Sequence, residues 1–157
     1  MSQAPQWSLP SIRGGSLSSA DFAGKAVLVV NTASLCGYTP QYAEMQKLYQ
    51  TYKDQGLVVL AVPSNDFEQE KDSNAEVKDF CEGMFGITLP MVEITSVKGP
   101  AAHPLYKWLE SEADYVPEWN FAKVLLDRQG KVAATFPAAE SPLDAGVVVE
   151  IERVLAA

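Results

Sequence analysis

Two stretches of this chain, Ala26–Val30 and Leu57–Val62, are apolar without alternation. A short run of that kind suits a strand covered on both faces, as in a parallel or mixed α/β sheet. Between them Tyr42, Met45, Leu48, Tyr49 and Tyr52 fall three and four apart. That spacing predicts an amphipathic helix from Pro40 to Asp54, with Lys and Gln on its outer face. Thr39-Pro40 marks the start, Thr as cap and Pro in the first turn, and Gly56 marks the end. Strand, helix and strand over residues 26–62 make a βαβ unit, which should be right-handed and parallel.

The remaining pattern adds elements on either side. Residues 1–24 are polar and Gly/Ser-rich, with Trp7, Leu9, Ile12 and Leu17 spaced as in a short hairpin or strap. Ser73-Asn-Ala-Glu76 reads as a capping box that opens a helix to about Phe85, with Val77, Phe80, Cys81 and Met84 on one side. Pro90-Met-Val is a short extended piece, and His103 to Leu109 is a helix after Pro100. Ala122–Asp127 and Lys131–Phe136 flank a tight turn at Gly130, a β-hairpin. A closing helix from Ser141 to Leu155 turns Leu143, Val147, Val148, Ile151 and Leu155 inward. A βαβ unit, further helices, a terminal hairpin and a last helix form the thioredoxin-like plan, an α/β fold in one domain over residues 1–157. In that plan three strand ends meet on one sheet edge. They deliver Cys36, Ser64-Asn65-Asp66 and Trp119-Asn120, and open α/β sheets place sites at such edges.

Composition narrows the partners. A formal net charge of −8 disfavours nucleic acid and anionic membrane surfaces. No apolar stretch approaches the roughly 20 residues of a membrane span. The start, Met1-Ser-Gln-Ala-Pro-Gln-Trp-Ser, carries no visible signal peptide, so the cytoplasm is the expected compartment. Two cysteines and one histidine fit neither a disulfide scaffold nor a zinc site, and no cofactor or metal is expected.

Chemistry concentrates in Asn31-Thr-Ala-Ser-Leu-Cys36-Gly-Tyr-Thr39-Pro40. Cys36 falls where a central strand hands over to a helix, near backbone N–H donors and the positive end of the helix dipole. That setting favours thiolate over thiol. A buried, inert cysteine is the plainer reading, and it applies with more force to Cys81 on the apolar side of its helix. Trp119 alone would read as a core aromatic and Asn120 as a turn residue. His103, before Pro104 at a helix start, is not expected to act as a base.

The motifs resemble the glutathione peroxidase family. Asn31–Tyr42 is similar to its nucleophile motif, Leu57–Phe67 to its second, Trp119-Asn120-Phe121 with Lys123–Asp127 to its third, and Pro100–Leu109 also fits. The resemblance runs from about residue 8 to the C-terminus. It implies reduction of hydroperoxides by Cys36, with the Trp119 and Asn120 donors directed at the sulfur. Phe80-Cys81 matches members whose cysteine resolves the sulfenic acid into a disulfide and is recycled by thioredoxin, with glutathione as the other reductant. The short segment from Leu109 to Trp119 resembles the thioredoxin users and implies a monomer. The two cysteines are distant in sequence and a disulfide needs Cα atoms within about 7 Å, so the helix over 73–85 is expected to unwind.

One departure carries an expectation of its own. Asp66 stands where the family has a Gln near the nucleophile, and Ser64 stands for a non-catalytic Cys. Between Phe67 and Ser73 the chain is also one residue short. A carboxylate cannot donate to a thiolate and would repel it, so beside Cys36 Asp66 would be protonated, turned away or paired with a cation such as Lys123. A weaker or more pH-dependent peroxidase is expected, with Asp66→Gln raising the rate. Two other classes stay open: a peroxide sensor that hands the disulfide to a partner protein, and a catalytically weakened binding module. A thioredoxin-type disulfide reductase would want Cys-x-x-Cys, and position 39 is Thr.

Overall fold

In the computed structural model, which describes residues 5–157, both apolar runs form strands buried along their whole length. The N-terminal segment forms a hairpin of β1 (Ser8–Pro10) and β2 (Ser16–Ser18); residues 1–4 of the expected strap lie outside the described residues. β3 (Ala26–Thr32) pairs in parallel with β4 (Leu57–Pro63) and antiparallel with β5 (Lys123–Leu126). β6 (Val132–Phe136) completes a sheet ordered β4-β3-β5-β6. Its helices are α1 (Gln41–Tyr52), α2 (Asn74–Phe85), α3 (Pro104–Ala113) and α4 (Ala145–Ala156). This is the thioredoxin-like α/β arrangement that the pattern predicts.

Alternate residues of each strand serve different layers, because successive side chains of a strand point to opposite faces. Leu28 and Val30 join Val59, Met45 of α1, Val77 of α2 and Ile151 of α4 in one cluster. Val27 and Val29 join Leu60, Leu9 of the hairpin, and Leu105 and Leu109 of α3 in the other. The hairpin and α3 therefore close the second face, and His103 joins them. Its Nδ1 accepts the Leu105 N–H as the α3 cap, and its Nε2 lies 2.9 Å from Ser8 O.

Several local expectations change. Thr39 does not cap α1; its hydroxyl donates to Ala33 O and accepts the Cys36 N–H. Pro40 holds the cap position without a side-chain bond. Gln41 and Gln46 are buried rather than outward, each spent on backbone: Gln41 Nε2 donates to Ala138 O, and Gln46 Oε1 accepts the N–H groups of Thr88 and Leu89. The Ser73 cap on α2 forms as predicted, with Ser73 Oγ accepting the Glu76 N–H. Met84, expected inward, is 68% exposed, and only Val77 and Cys81 of that helix are buried. The closing helix starts at Ala145, since 141–144 form a turn, and it buries Val154 as well.

Candidate active site

Hydrogen bonds tie the three strand ends together. Ser64 N donates to Thr32 O, joining the ends of β3 and β4. Phe121 N donates to Asn31 O, and Asn31 Nδ2 donates to Trp119 O. The turn carrying Cys36 is wound over this edge and fixed by Thr39 from within. Cys36 is 8% exposed, while Leu35 beside it is 59% exposed. The Tyr38 N–H donates to Cys36 Sγ at 3.3 Å, a backbone dipole aimed at the atom where negative charge would sit.

Asn120 is fully buried, and its Nδ2 donates to Gln69 Oε1 at 3.1 Å rather than to the sulfur. Gln69 in turn accepts the Leu35 N–H on its backbone carbonyl. Gln69 is thus the amide that the 64–73 loop brings to the Cys36 turn. The sequence reading missed it because nothing in the 64–73 stretch is periodic, so which of its side chains turns towards Asn120 depends on the path of the loop. Glu68, at φ 60°, sits in the left-handed region where the loop tightens. Trp119 is half-buried, its ring 5.1 Å from that of Phe67.

Asp66 does not join this group. Its Oδ2 accepts the N–H groups of Val97 at 2.6 Å and Lys98 at 3.2 Å, and the Ser96 hydroxyl donates to it at 3.2 Å. The carboxylate is turned away and caps the 96–98 loop, so the expected repulsion of the thiolate is replaced by a structural duty. Asp66→Gln should leave the rate with peroxide where it is rather than raise it. The same change should cost about 1–3 kcal/mol in urea unfolding, the worth of hydrogen bonds to a charged acceptor; a faster peroxidase of unchanged stability would restore the sequence reading.

Lys123 is not the partner of Asp66 either. It is fully buried, and Nζ donates to Phe121 O at 2.6 Å and to Ala138 O at 3.4 Å. Burial pushes its pKa down from 10.5 to about 8, against the pull of Glu140, Glu118, Glu44 and Asp144. The unfolded chain holds more protons than the folded one between those values, so this group's contribution to stability rises with pH across that window. The unfolding free energy of wild type minus that of Lys123→Met should climb from about pH 8 by up to about 3 kcal/mol. A flat difference in denaturant titrations would show that the buried amine stays charged.

Cys81 is fully buried on the inner side of α2, in the same core cluster as Cys36, and both thiols are free. Burial pushes its pKa up to about 11. Arg13 fastens α2 and the segment after it from outside: its guanidinium donates to Glu82 Oε2 on the helix and to Ile87 O and Leu89 O beyond its end. No helix among the described residues is long and apolar enough to cross a membrane.

The glutathione peroxidase family model matches residues 6–110, a span that holds Cys36, Gln69 and Cys81 and stops before Trp119. The chain is 44% identical to a glutathione peroxidase of Lactococcus lactis subsp. cremoris over 136 residues, 83% of this chain and 87% of the relative. It is 40% identical to the hydroperoxy fatty acid reductase gpx1 of Synechocystis sp. over 95% of this chain and 94% of that one. Among solved structures, Trgpx in its apo form aligns with a TM-score of 0.75 at 31% identity, covering 96% of this chain and 93% of the other. A thioredoxin-family thiol:disulfide interchange protein from Chlorobium tepidum TLS also gives 0.75, over 98% and 96% of the two chains, but at 20% identity, a likeness of fold alone. With the family match running through the Cys36 turn and a relative so similar along nearly its whole length, this chain belongs to the glutathione peroxidase family.

Proposed function

We propose that the protein reduces hydrogen peroxide and organic hydroperoxides at Cys36, resolves the product with Cys81, and is recycled by thioredoxin. The observation that carries this is the seat of Cys36: a sulfur under the Tyr38 N–H, on the edge where the Asn120–Gln69 amide pair also sits. The thiolate attacks the distal peroxide oxygen, the O–O bond breaks, and sulfenic acid forms as alcohol or water leaves. Trp119, Asn120 and Gln69 position the peroxide and stabilise the departing oxygen. The exposed Leu35 and half-buried Phe67 and Trp119 offer apolar contact to a lipid hydroperoxide, in keeping with the relative named a hydroperoxy fatty acid reductase. Other relatives are named glutathione peroxidase-like peroxiredoxins, in Chlamydomonas reinhardtii and Saccharomyces cerevisiae, which supports a dithiol cycle. The proposed working unit is a monomer. The weakened binding module rested on Asp66 beside the sulfur, and that carboxylate is engaged at 96–98.

Resolution requires Cys81 to leave the core, and α2 is suited to opening because it buries only two side chains. One equivalent of hydrogen peroxide on reduced protein should remove about two mass units from wild type and add about sixteen to Cys81→Ser. No rapid change in either protein would mean that Cys36 is not activated. A disulfide that forms but passes to another protein faster than to thioredoxin would favour the sensor.

A further inference from the structure

Lys123 opens β5, and the residues that follow it there, Val124, Leu125 and Leu126, are all apolar. Among the described residues no other lysine or arginine is buried. Holding an ammonium out of water is costly, and an apolar side chain at this position would pack as the rest of the strand does. Departures of that kind gather where function is set. The backbone of Lys123 pairs with Val30, near the end of the strand that leads to Cys36. Its Nζ reaches back to Phe121 O at 2.6 Å, and the Phe121 N–H donates to Asn31 O at 2.6 Å. Both polar groups of a residue at positive φ are thereby held, and such a conformation persists only where its surroundings over-determine it. The second acceptor of Nζ is Ala138 O, at 3.4 Å. Ala138 is buried, and its carbonyl also accepts Gln41 Nε2 at 2.8 Å. Gln41 opens α1, directly after the turn that carries Cys36. The Ala138 N–H donates to Glu118 Oε1 at 2.8 Å, and Glu118 precedes Trp119. The backbone of one buried alanine therefore receives the helix behind Cys36 and, through Glu118 and Lys123, both ends of the Glu118–Phe121 segment.

We infer, on the reading of Cys36 as the thiol that reduces peroxide, that Lys123 is a positioning residue for that step. With Ala138 it holds Trp119 and Asn120 in register with the Cys36 turn, and it acts through the Phe121 carbonyl rather than on the sulfur. The departing peroxide oxygen gains negative charge as the O–O bond breaks. Donors aimed at that oxygen lower the barrier only when they are fixed in place beforehand, and a misplacement of about 1 Å can cost about a hundredfold in rate. Alkylation of the same thiolate by iodoacetamide expels iodide, which asks nothing of those donors. Loss of Lys123 should therefore separate two reactions of one sulfur.

The test uses the full-length Cys81→Ser protein as reference, in which Cys36 is the one thiol left. Rapid quench and intact mass follow its gain of about sixteen mass units with hydrogen peroxide, and a parallel series follows alkylation by iodoacetamide. Adding Lys123→Met, which fills much the same space without a donor, should slow oxidation at least about tenfold. Alkylation should stay within about twofold, since it reads only the thiolate and its exposure. Glu118→Ala removes the outer arm of the junction and should slow oxidation about threefold with alkylation unmoved. Glu118→Gln keeps an acceptor for the Ala138 N–H and should recover what Glu118→Ala loses. Oxidation at the reference rate in Lys123→Met would overturn the inference. So would oxidation and alkylation changing together, which would make Lys123 only a part of the core. Should Lys123→Met not fold, the exposed Glu118 decides: oxidation of Glu118→Ala at the reference rate would overturn it. A reference protein that gains no oxygen would sink the reading of Cys36 itself, a separate result.

Discussion

Cys36→Ser should consume hydrogen peroxide at least about a thousandfold more slowly than wild type, the scale on which loss of an enzyme nucleophile is felt. A serine hydroxyl is not ionised near neutrality and has no sulfenic acid state, so neither attack nor the first oxidation product is open to it. The fold should survive, because the sulfur's bond from the Tyr38 N–H is one that a hydroxyl oxygen accepts equally well. Peroxide consumption under pseudo-first-order conditions, with circular dichroism beside it, checks both halves. A variant within tenfold of wild type would remove Cys36 from the chemistry and leave Cys81 as the only thiol to account for it.

The largest expected loss of stability is at Phe121, where Phe121→Ala should cost about 3–5 kcal/mol. That is a large share of the roughly 5–15 kcal/mol that a whole domain possesses. The ring is fully buried and meets Tyr42 edge-on at 5.3 Å. Its backbone lies at φ 71°, a conformation that L residues reach only at a cost of order 1–3 kcal/mol. Glycine carries no such cost, so Phe121→Gly should be no less stable than Phe121→Ala, the reverse of the usual order in a regular element. Urea unfolding of the three proteins decides this, and an alanine variant clearly firmer than glycine would remove strain from the account. The rate with peroxide should fall in both variants, since Phe121 follows Asn120 and its N–H and C=O are the ties to Asn31 and Lys123.

The layered sheet was legible because its information is periodic. Unbroken apolar runs of strand length suited strands with two covered faces, and Ser73 with Glu76 named a helix start that the structure repeats. Cys36 and its edge were legible for the same reason: strand order fixes which ends meet. What escaped was single side chains whose direction depends on a loop's path. Asp66 and Gln69 lie three residues apart in a segment with no periodicity, and which of them faces Asn120 depends on the path of a loop that carries Glu68 at positive φ. Gln41, Gln46 and Lys123 escaped because polar residues carry no label saying that a buried carbonyl or amide awaits them. Glu70 escaped because its tie to Ser34 spans 36 positions of sequence.

The clip that Arg13 places on α2 also has an electrochemical meaning. Under the proposed cycle its bond to Glu82 exists while the helix is wound, in the dithiol form, and is given up when Cys81 departs. Whatever it contributes stabilises the reduced protein alone and so makes the disulfide a stronger oxidant. At about 30 mV for every 1.4 kcal/mol, the hairpin that presents Arg13 sets part of the voltage at which the protein hands its oxidation on. Residues at the start of the chain, remote from either sulfur in sequence, would thereby govern how willingly a reductant discharges it.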